Sequence, residues 1–192
     1  LIQRAIKFEQ QNFLYIKALG SPWVQFNGHT LNLSHRQIEI LCILALYPYG
    51  IGLEELHYAL YGERSVSLKT LKAELSQLRS LLPHSIEARI YRLTCEVQCD
   101  FLRAEQSLNA NLISSTFSLY KGSFLSKSES PLLSTWRHCF DARLSQLIYQ
   151  IKDIDQLLRI IGQTHDRIDA VQRLLELLPQ DSTYRNYFSN LI

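Results

Sequence analysis

The stretch from Ser67 to Leu82 limits the fold most tightly, because it predicts one complete amphipathic helix with a defined beginning and end. Ser67 is a suitable N-cap, and Pro83 prevents the helix from continuing past Leu82. The leucines recur at steps of three and four, which puts them on one side and predicts a buried face: Leu68, Leu71, Leu75, Leu78 and Leu82. The polar and basic opposite side fits either an ordinary solvated surface helix or a helix that presents a binding face.

Length and composition indicate a folded chain with a substantial core. The 192 residues suit one large domain or two small ones. Hydrophobic residues make up 46% and charged residues 20%, which excludes the disordered and fibrous classes. No apolar run has the length of a membrane span and no signal peptide opens the sequence, so we expect a soluble, cytoplasmic protein without a membrane partner. Because the chain starts at Leu1 and contains no methionine, we expect it to be part of a longer protein whose upstream domain is missing.

The basic residues are concentrated around the Ser67–Leu82 helix. The net charge, 20 minus 18, is only +2 and does not by itself indicate a nucleic-acid partner. From Arg64 to Arg92, however, six basic residues face two acidic ones, a local balance of +4, while the remainder has 14 basic and 16 acidic residues. The sequence therefore predicts a modest basic patch on this helix and on the segment after it.

The cysteines and histidines do not form a metal-binding pattern. Cys95 and Cys99 are four residues apart, but two further ligands at suitable positions are absent from the sequence around them. Cys42 lies among aliphatic residues, and all four cysteines are expected to be small core residues. The six histidines are spread over different predicted elements. We therefore expect no metal and no other cofactor.

The first third of the chain changes from helix to strand patterns and back. Residues 1–14 predict a helix, either a connector from the upstream domain or a helix packed on its own domain. Residues 15–33 predict a small antiparallel meander whose Asn27-Gly28 pair is a strong hairpin signal. Ser34 and Gln37 then form the capping box of a helix that closes at Pro48.

A short helix, LEELHYALYG, precedes the Ser67–Leu82 helix, and SIEARIYRLTCEVQ after Pro83 predicts two short strands around a tight reversal. The order of strands, three helices and a hairpin is that of a winged helix, a helix-turn-helix with an added β-wing. The predicted fold class is therefore α+β for the N-terminal part, a winged helix-turn-helix with a small antiparallel sheet.

Specific motifs in this region resemble the OmpR/PhoB-type DNA-binding domain of response regulators. GHTLNLSHRQIEILCILALYPYGIGLEELHYALYG is similar to a strand and the helix pair after it in that domain, and KTLKAELSQLR is similar to its recognition helix. Tyr91-Arg92-Leu93 matches the return strand of its wing, so that the resemblance covers about residues 15–97. It implies DNA binding, with a dimer on repeated half-sites. The chain departs from the family pattern at Lys72, at Gln77 and at Ala88-Arg89-Ile90, which replaces the wing-tip glycines; Lys72 predicts an added phosphate contact.

From Asp100 onward the strand signals stop and six segments carry the 3.6-residue period of amphipathic helices. Short connections predict antiparallel helix pairs, so the C-terminal part is expected to be all-α and similar to a helical repeat. Leu119 to Leu125, LYKGSFL, is similar to a motif of the bacterial transcriptional activator domain, a tetratricopeptide-like module that follows a winged helix in the antibiotic-regulatory activators. The expected domains are 15–98 and 99–192.

The motifs favour a DNA-binding transcriptional regulator, and we do not expect an enzyme because no catalytic or phosphate-binding motif occurs. The Ser67–Leu82 helix would lie in the major groove of double-stranded DNA, with further contacts from the preceding turn and the wing. The candidate DNA-binding residues are Arg64, Lys69, Thr70, Lys72, Ser76, Gln77, Arg79, Arg89 and Arg92. RNA polymerase and the upstream sensor domain are further candidate partners.

Two other hypotheses stay open. The winged helix and the helical repeats could form a scaffold that binds a protein partner, or the helical half could bind a small molecule in a groove. The surface of the third helix separates the first of these from DNA binding. An exposed positive face supports DNA, whereas a face buried against residues 100–192 or neutralised by their acids supports a scaffold.

Overall fold

The computed structural model describes residues 11–164 and 166–190, and within them the N-terminal part contains a four-stranded mixed sheet. The strands are β1 (Phe13–Lys17), β2 (Trp23–Phe26), β3 (His29–Leu31) and β4 (Glu96–Cys99), in the order β3-β2-β1-β4. β1 pairs with β2, and β2 with β3, in antiparallel fashion, but β1 and β4 are parallel. The prediction of a purely antiparallel sheet is therefore wrong at this edge. β4 reaches β1 only after the chain has crossed over through three helices, and such a crossover allows a parallel partner.

The predicted Asn27-Gly28 hairpin is confirmed. Both residues have positive φ angles, 49° and 82°, which a two-residue turn between twisted antiparallel strands requires. The Asn27 side chain also accepts a hydrogen bond from the Phe13 backbone N–H at 2.8 Å. The turn thus holds the start of β1 as well as the ends of β2 and β3.

The helix predicted over residues 1–14 is wrong at residues 11–14, because residues 11 and 12 are not helical and β1 begins at Phe13. Leu14 is paired with both Phe26 and Val97 and is fully buried, so pairing on two sides outweighs the local helical pattern. Residues 1–10 of that predicted helix lie outside the described residues.

Three helices follow β3 and pack on one another: α1 (His35–Leu46), α2 (Leu53–Tyr61) and α3 (Leu68–Leu81). α1 begins with the predicted capping box, in which the Ser34 hydroxyl accepts the Gln37 N–H and the Gln37 side chain accepts the Ser34 N–H. α2 ends at Gly62, whose φ of 60° reverses the chain toward α3. The Ser67 side chain caps α3 by accepting the Lys69 N–H at 3.1 Å.

A short hairpin follows α3, with one antiparallel bridge between Ile86 and Leu93. Its returning arm is also bridged to the segment before α2, where Ile51 and Tyr91 exchange backbone hydrogen bonds of 3.0 and 2.9 Å. The hairpin is therefore shorter than the two predicted strands, and the remainder of that sequence forms β4.

Helices make up the regular structure of the C-terminal part, as the periodicity predicts. They are α4 (Asp100–Asn109), α5 (Ile113–Leu119), α6 (Pro131–Gln150), α7 (Ile154–Gln163), α8 (Ile168–Leu177) and α9 (Thr183–Ser189). Asp166, which lies before α8, accepts hydrogen bonds from the Tyr120 hydroxyl at 2.9 Å and the Ser123 N–H at 3.0 Å. This contact fixes the α5–α6 connection to the α7–α8 turn.

The N-terminal and helical parts share one connected hydrophobic core. At the junction, the buried Asp100 carboxylate accepts the N–H groups of Ala18 at 2.8 Å and Leu19 at 3.0 Å. Burial raises the pKa of Asp100, while these backbone donors act in the opposite direction. Next to it, Leu19 and Phe124 form an antiparallel bridge, so the α5–α6 connection lies against the end of β1.

The cysteines are free, and two of them belong to the core. Burial raises the pKa of the Cys42 thiol and brings that of Cys99 to about 12, which keeps both thiols protonated at neutral pH. Across residues 11–164 and 166–190, the His, Cys, Asp and Glu side chains do not gather into a group that could hold a metal ion. None of the helices described here has both the length and the apolar character needed to cross a bilayer.

Candidate nucleic-acid interface

The leucine stripe of α3 anchors the helix and leaves its opposite side in solvent. Leu71, Leu75 and Leu78 are buried, and α3 packs on α1 and α2. Leu68, which the sequence places on the same stripe, is 38% exposed because it lies in the first turn, beyond the edge of the core. Leu82, just after the helix, is fully buried and fixes its C-terminal end.

The predicted contact residues of α3 share the exposed side. Each of the six is exposed: Lys69, Thr70, Lys72, Ser76, Gln77 and Arg79. Steps of four, three and four join Lys69, Ala73, Ser76 and Ser80, all of them exposed, into one row along the middle of this surface. Sequence reasoning missed Ala73 and Ser80, although the same spacing identifies them. Small side chains at these two positions let a ligand approach the helix backbone closely.

The cations of α3 are available for an anionic partner. No ion pair formed among residues 11–164 and 166–190 involves Lys69, Lys72 or Arg79. The acidic residue of α3, Glu74, is half-buried, and one of its carboxylate oxygens lies out of solvent. It therefore does not neutralise the exposed side, and three positive charges project from one face of the helix.

Arg64, in the connection between α2 and α3, already has a partner in the helical part. Its Nη1 lies 2.8 Å from Glu129 Oε2, and its Nη2 donates to the Glu129 backbone carbonyl. Both side chains are exposed, so the ion pair contributes little to stability, and Arg64 can leave Glu129 for another anion. Arg64 thus marks the place where the predicted interface meets the helical part.

The hairpin after α3 carries the other two predicted arginines. Arg92 pairs with Glu87 across the hairpin at 2.5 Å, whereas Arg89 is exposed at its tip. The backbone bond from the Glu87 N–H to the Arg92 carbonyl, 3.0 Å, sets this pairing. Of the two arginines, only Arg89 is presented without a carboxylate partner among the residues described.

A direct hydrogen bond joins the exposed side of α3 to the start of α1. Gln37 Nε2 donates to Gln77 Oε1 at 2.9 Å. Gln37 is 6% exposed, and its own oxygen is held by the Ser34 N–H of the capping box. Sequence reasoning predicted the capping box and the exposure of Gln77 but not their contact, because 40 residues separate the two glutamines.

The helical part contacts the N-terminal part away from the exposed side of α3. α6 packs against α1 and α2, where the Ser130 hydroxyl donates to the Ala59 carbonyl at 2.7 Å. Beside it, the buried Ser128 hydroxyl donates to Glu39 at 2.5 Å. The face of α3 that carries Lys69, Lys72 and Arg79 is therefore open, as the DNA hypothesis requires and the scaffold hypothesis does not.

Comparison with known proteins supports this fold. No protein-family model matches the chain. It is 28% identical over 169 residues to a protein of Rhodococcus erythropolis described as an uncharacterized 47.3 kDa protein in the thcA 5′ region. That match covers 86% of this chain and 38% of the relative.

Among solved structures, the chain is similar to Mycobacterium tuberculosis EmbR, determined in complex with a low-affinity phosphopeptide. The TM-score is 0.55, with 17% sequence identity, over 94% of this chain and 56% of EmbR. The chain thus spans well under two thirds of the length of both proteins. It shares with EmbR the arrangement of an α+β N-terminal part and a helical C-terminal part.

Proposed function

We propose that the chain is the DNA-binding part of a bacterial transcriptional regulator of the winged-helix type, with α3 as its recognition helix. The observation that carries the proposal is the exposed face of α3, on which Lys69, Lys72 and Arg79 project while buried leucines hold the opposite side. A helix anchored in this way fits the major groove. Lys72 and Arg79 are seven residues apart and share one flank of the exposed face, where they suit the phosphates along that side of the groove.

The succession of elements gives independent support. α2 and α3 form the helix pair of a helix-turn-helix, and the hairpin of residues 86–93 occupies the position of a wing. The similarity to EmbR extends over both parts of the chain, in the same order. We therefore keep the proposed domains, a winged helix over residues 15–98 and a helical domain over residues 99–192, with the first extended to 13–99 because β1 begins at Phe13 and β4 ends at Cys99.

The contacts divide by chemistry. In the proposed complex, Lys69, Thr70, Ser76 and Gln77 face base edges, and Lys72 and Arg79 bind phosphates. Arg89 adds a phosphate contact from the hairpin. Arg64 and Arg92 must first exchange Glu129 and Glu87 for DNA, so we rank them below the other cations.

On the basis of the sequence resemblance, we also propose an oligomeric state, protein partners and a cellular location. A homodimer on repeated half-sites would place two α3 helices in successive major grooves. RNA polymerase and an upstream sensor domain remain proposed partners, and a regulator of this kind would act in the bacterial cytoplasm.

Binding of the 192-residue chain to labelled duplexes with random centres tests the proposal. At about 50 mM salt we expect a retarded complex that weakens steeply as salt is raised, because binding releases counterions from the phosphates. Sequencing of the retained duplexes then gives the preferred bases and the half-site spacing. Absence of any complex at low salt would contradict DNA binding and favour the scaffold hypothesis.

A further inference from the structure

The hydrogen bond between Gln37 and Gln77 determines whether the oxygen or the NH2 group of the Gln77 side-chain amide faces away from the protein. Gln77 lies on the exposed side of α3, and its oxygen accepts from Gln37 Nε2 at 2.9 Å. Gln37 is almost completely buried in the first turn of α1. Its oxygen accepts the Ser34 N–H at 3.0 Å, and its own N–H donates to the Ser34 hydroxyl at 3.2 Å.

The orientation of both amides follows from one obligatory donor. A backbone N–H can only donate, so the Gln37 atom that faces Ser34 must be its oxygen. The other end of the Gln37 amide is then an NH2 group, which also only donates, so the Gln77 atom that it meets must be an oxygen. The planar Gln77 amide consequently turns its NH2 group away from Gln37, toward solvent.

From this chain of contacts we infer that Gln37 is a positioning residue that makes Gln77 a hydrogen-bond donor toward the bases. The inference rests on the proposed DNA-binding function and adds to it a specificity. An NH2 group in the major groove pairs with guanine N7 or O6 and with thymine O4. Adenine N7 also accepts, but the adenine amino group beside it only donates, so adenine is a poorer partner for an NH2 group than guanine. Bidentate pairing with adenine needs the glutamine oxygen to face the base together with the NH2 group, and the bond from Gln37 holds that oxygen toward α1 instead. Gln77 therefore favours guanine or thymine at the base pair that it contacts.

Gln37→Glu should reverse this preference without removing the cap. Glutamate is a preferred partner in a capping box, and a negative charge suits a helix N-terminus, so the Ser34 contact is retained. The second carboxylate oxygen can only accept, however, so Gln77 must rotate its amide by half a turn and donate its NH2 group to it. The Gln77 oxygen then faces outward and accepts from the amino groups of cytosine or adenine.

Side-chain amide exchange tests the orientation in the protein alone. In the 15N-labelled chain, the Gln77 NH2 signals should exchange rapidly with water, while one Gln37 NH2 proton is protected. Gln37→Glu should slow exchange at Gln77. Slow exchange at Gln77 in the unsubstituted chain, or no change in the variant, would contradict the orientation inferred for its amide.

Selection from the random-centre duplex pool tests the specificity. With the unsubstituted chain, we expect guanine or thymine to be enriched at one position of each half-site. Gln77→Ala should show no base preference at that position. Gln37→Glu should enrich cytosine or adenine there instead. A single hydrogen bond predicts roughly a three- to tenfold change in relative enrichment. Gln25→Glu on β2 makes the same change of charge outside the interface and should leave the preference unaltered.

Two results would overturn the inference while leaving the proposed function intact. One is unchanged base preference in Gln77→Ala; the other is retention or simple loss of the original preference in Gln37→Glu. If neither the unsubstituted chain nor any variant retains a duplex, DNA binding itself fails, and the specificity assigned to Gln77 fails with it. The amide-exchange result then still reports whether Gln37 sets the orientation of Gln77.

Discussion

Partnership with a carboxylate separates the predicted DNA-binding cations into two groups. Lys69, Lys72 and Arg79 extend from α3 without such a partner among the residues described, whereas Arg64 and Arg92 are paired with Glu129 and Glu87. A paired arginine must give up its carboxylate before it can bind a phosphate, and this exchange reduces the gain on binding. The unpaired cations should therefore contribute most of the salt dependence of DNA binding.

Lys72→Ala should lower the affinity for duplex DNA and flatten its salt dependence. One lost phosphate contact decreases the slope of log K against log salt by about one unit. Fluorescence anisotropy over a range of salt concentrations measures both effects. Lys152→Ala, at an exposed lysine after α6, is the matched control and should leave the slope unchanged. Equal slopes for Lys72→Ala and the unsubstituted chain would remove Lys72 from the phosphate contacts.

Glu87→Gln should increase DNA affinity, because it releases Arg92 and removes a negative charge beside the proposed interface. We expect roughly a two- to fivefold gain at low salt and a somewhat steeper salt slope, as an additional cation becomes available. Glu96→Gln, an equivalent change at an exposed position of β4, controls for net charge alone. A gain of the same size in both variants would show that Arg92 itself is not involved.

At the scale of single elements, α3 combines two separate tasks on opposite sides. Its buried leucines attach it to α1 and α2, while its exposed residues do not contribute to the core. Substitutions on the two sides should therefore have different consequences. Those on the leucine side should change stability, and those on the exposed side should change binding.

Leu75→Ala should destabilise the fold by about 2–4 kcal/mol, because it removes a buried side chain and leaves a cavity between helices. Leu81→Ala lies in the same helix but at a residue that is 41% exposed, so we expect well under half of that loss. Urea denaturation followed by circular dichroism measures both free energies of unfolding. Similar losses in the two variants would contradict the assignment of the buried side.

The elements that could be predicted from sequence are those governed by neighbours along the chain. The caps at Ser34 and Ser67 and the Asn27-Gly28 turn each depend on residues within a few positions, and all three are found as predicted. The parallel pairing of β1 with β4 joins residues about 80 positions apart, so local periodicity contains no signal for it. The Gln37–Gln77 contact was missed for the same reason.

At the scale of the whole molecule, backbone contacts fix the N-terminal part to the helical part. Gly20, between β1 and β2, has a φ of 79°, and its N–H donates to the Ser123 carbonyl at 3.3 Å. A side-chain carbon at Gly20 would lie 2.3 Å from the Lys121 carbonyl oxygen, so the two backbones are too close for any other residue. Gly122 faces Gly20 on the opposite backbone, which makes this approach possible.

Gly20→Ala should therefore be considerably more destabilising than Gly28→Ala. Gly28 has nearly the same φ, 82°, but no atom within 4 Å of the added carbon, so it reports the backbone strain alone, about 1 kcal/mol. At Gly20 the same strain is joined by displacement of residues 121–123 and of the Ser123 hydrogen bond. Thermal denaturation of both variants gives the difference. An equal loss of stability in the two variants would mean that residues 121–123 can move away from the added carbon at Gly20 without further destabilisation.

The parallel pairing of β1 with β4 also determines how the molecule responds to mechanical load. β1 is entered from the N-terminal side at Phe13, and β4 leads directly into α4 at Asp100. Tension between these points pulls the two strands lengthwise past each other, so the hydrogen bonds between them bear the force together instead of opening one at a time. A force applied through the chain segments before β1 and after β4 should leave the sheet and the packing of α3 on α1 and α2 intact until these hydrogen bonds break together.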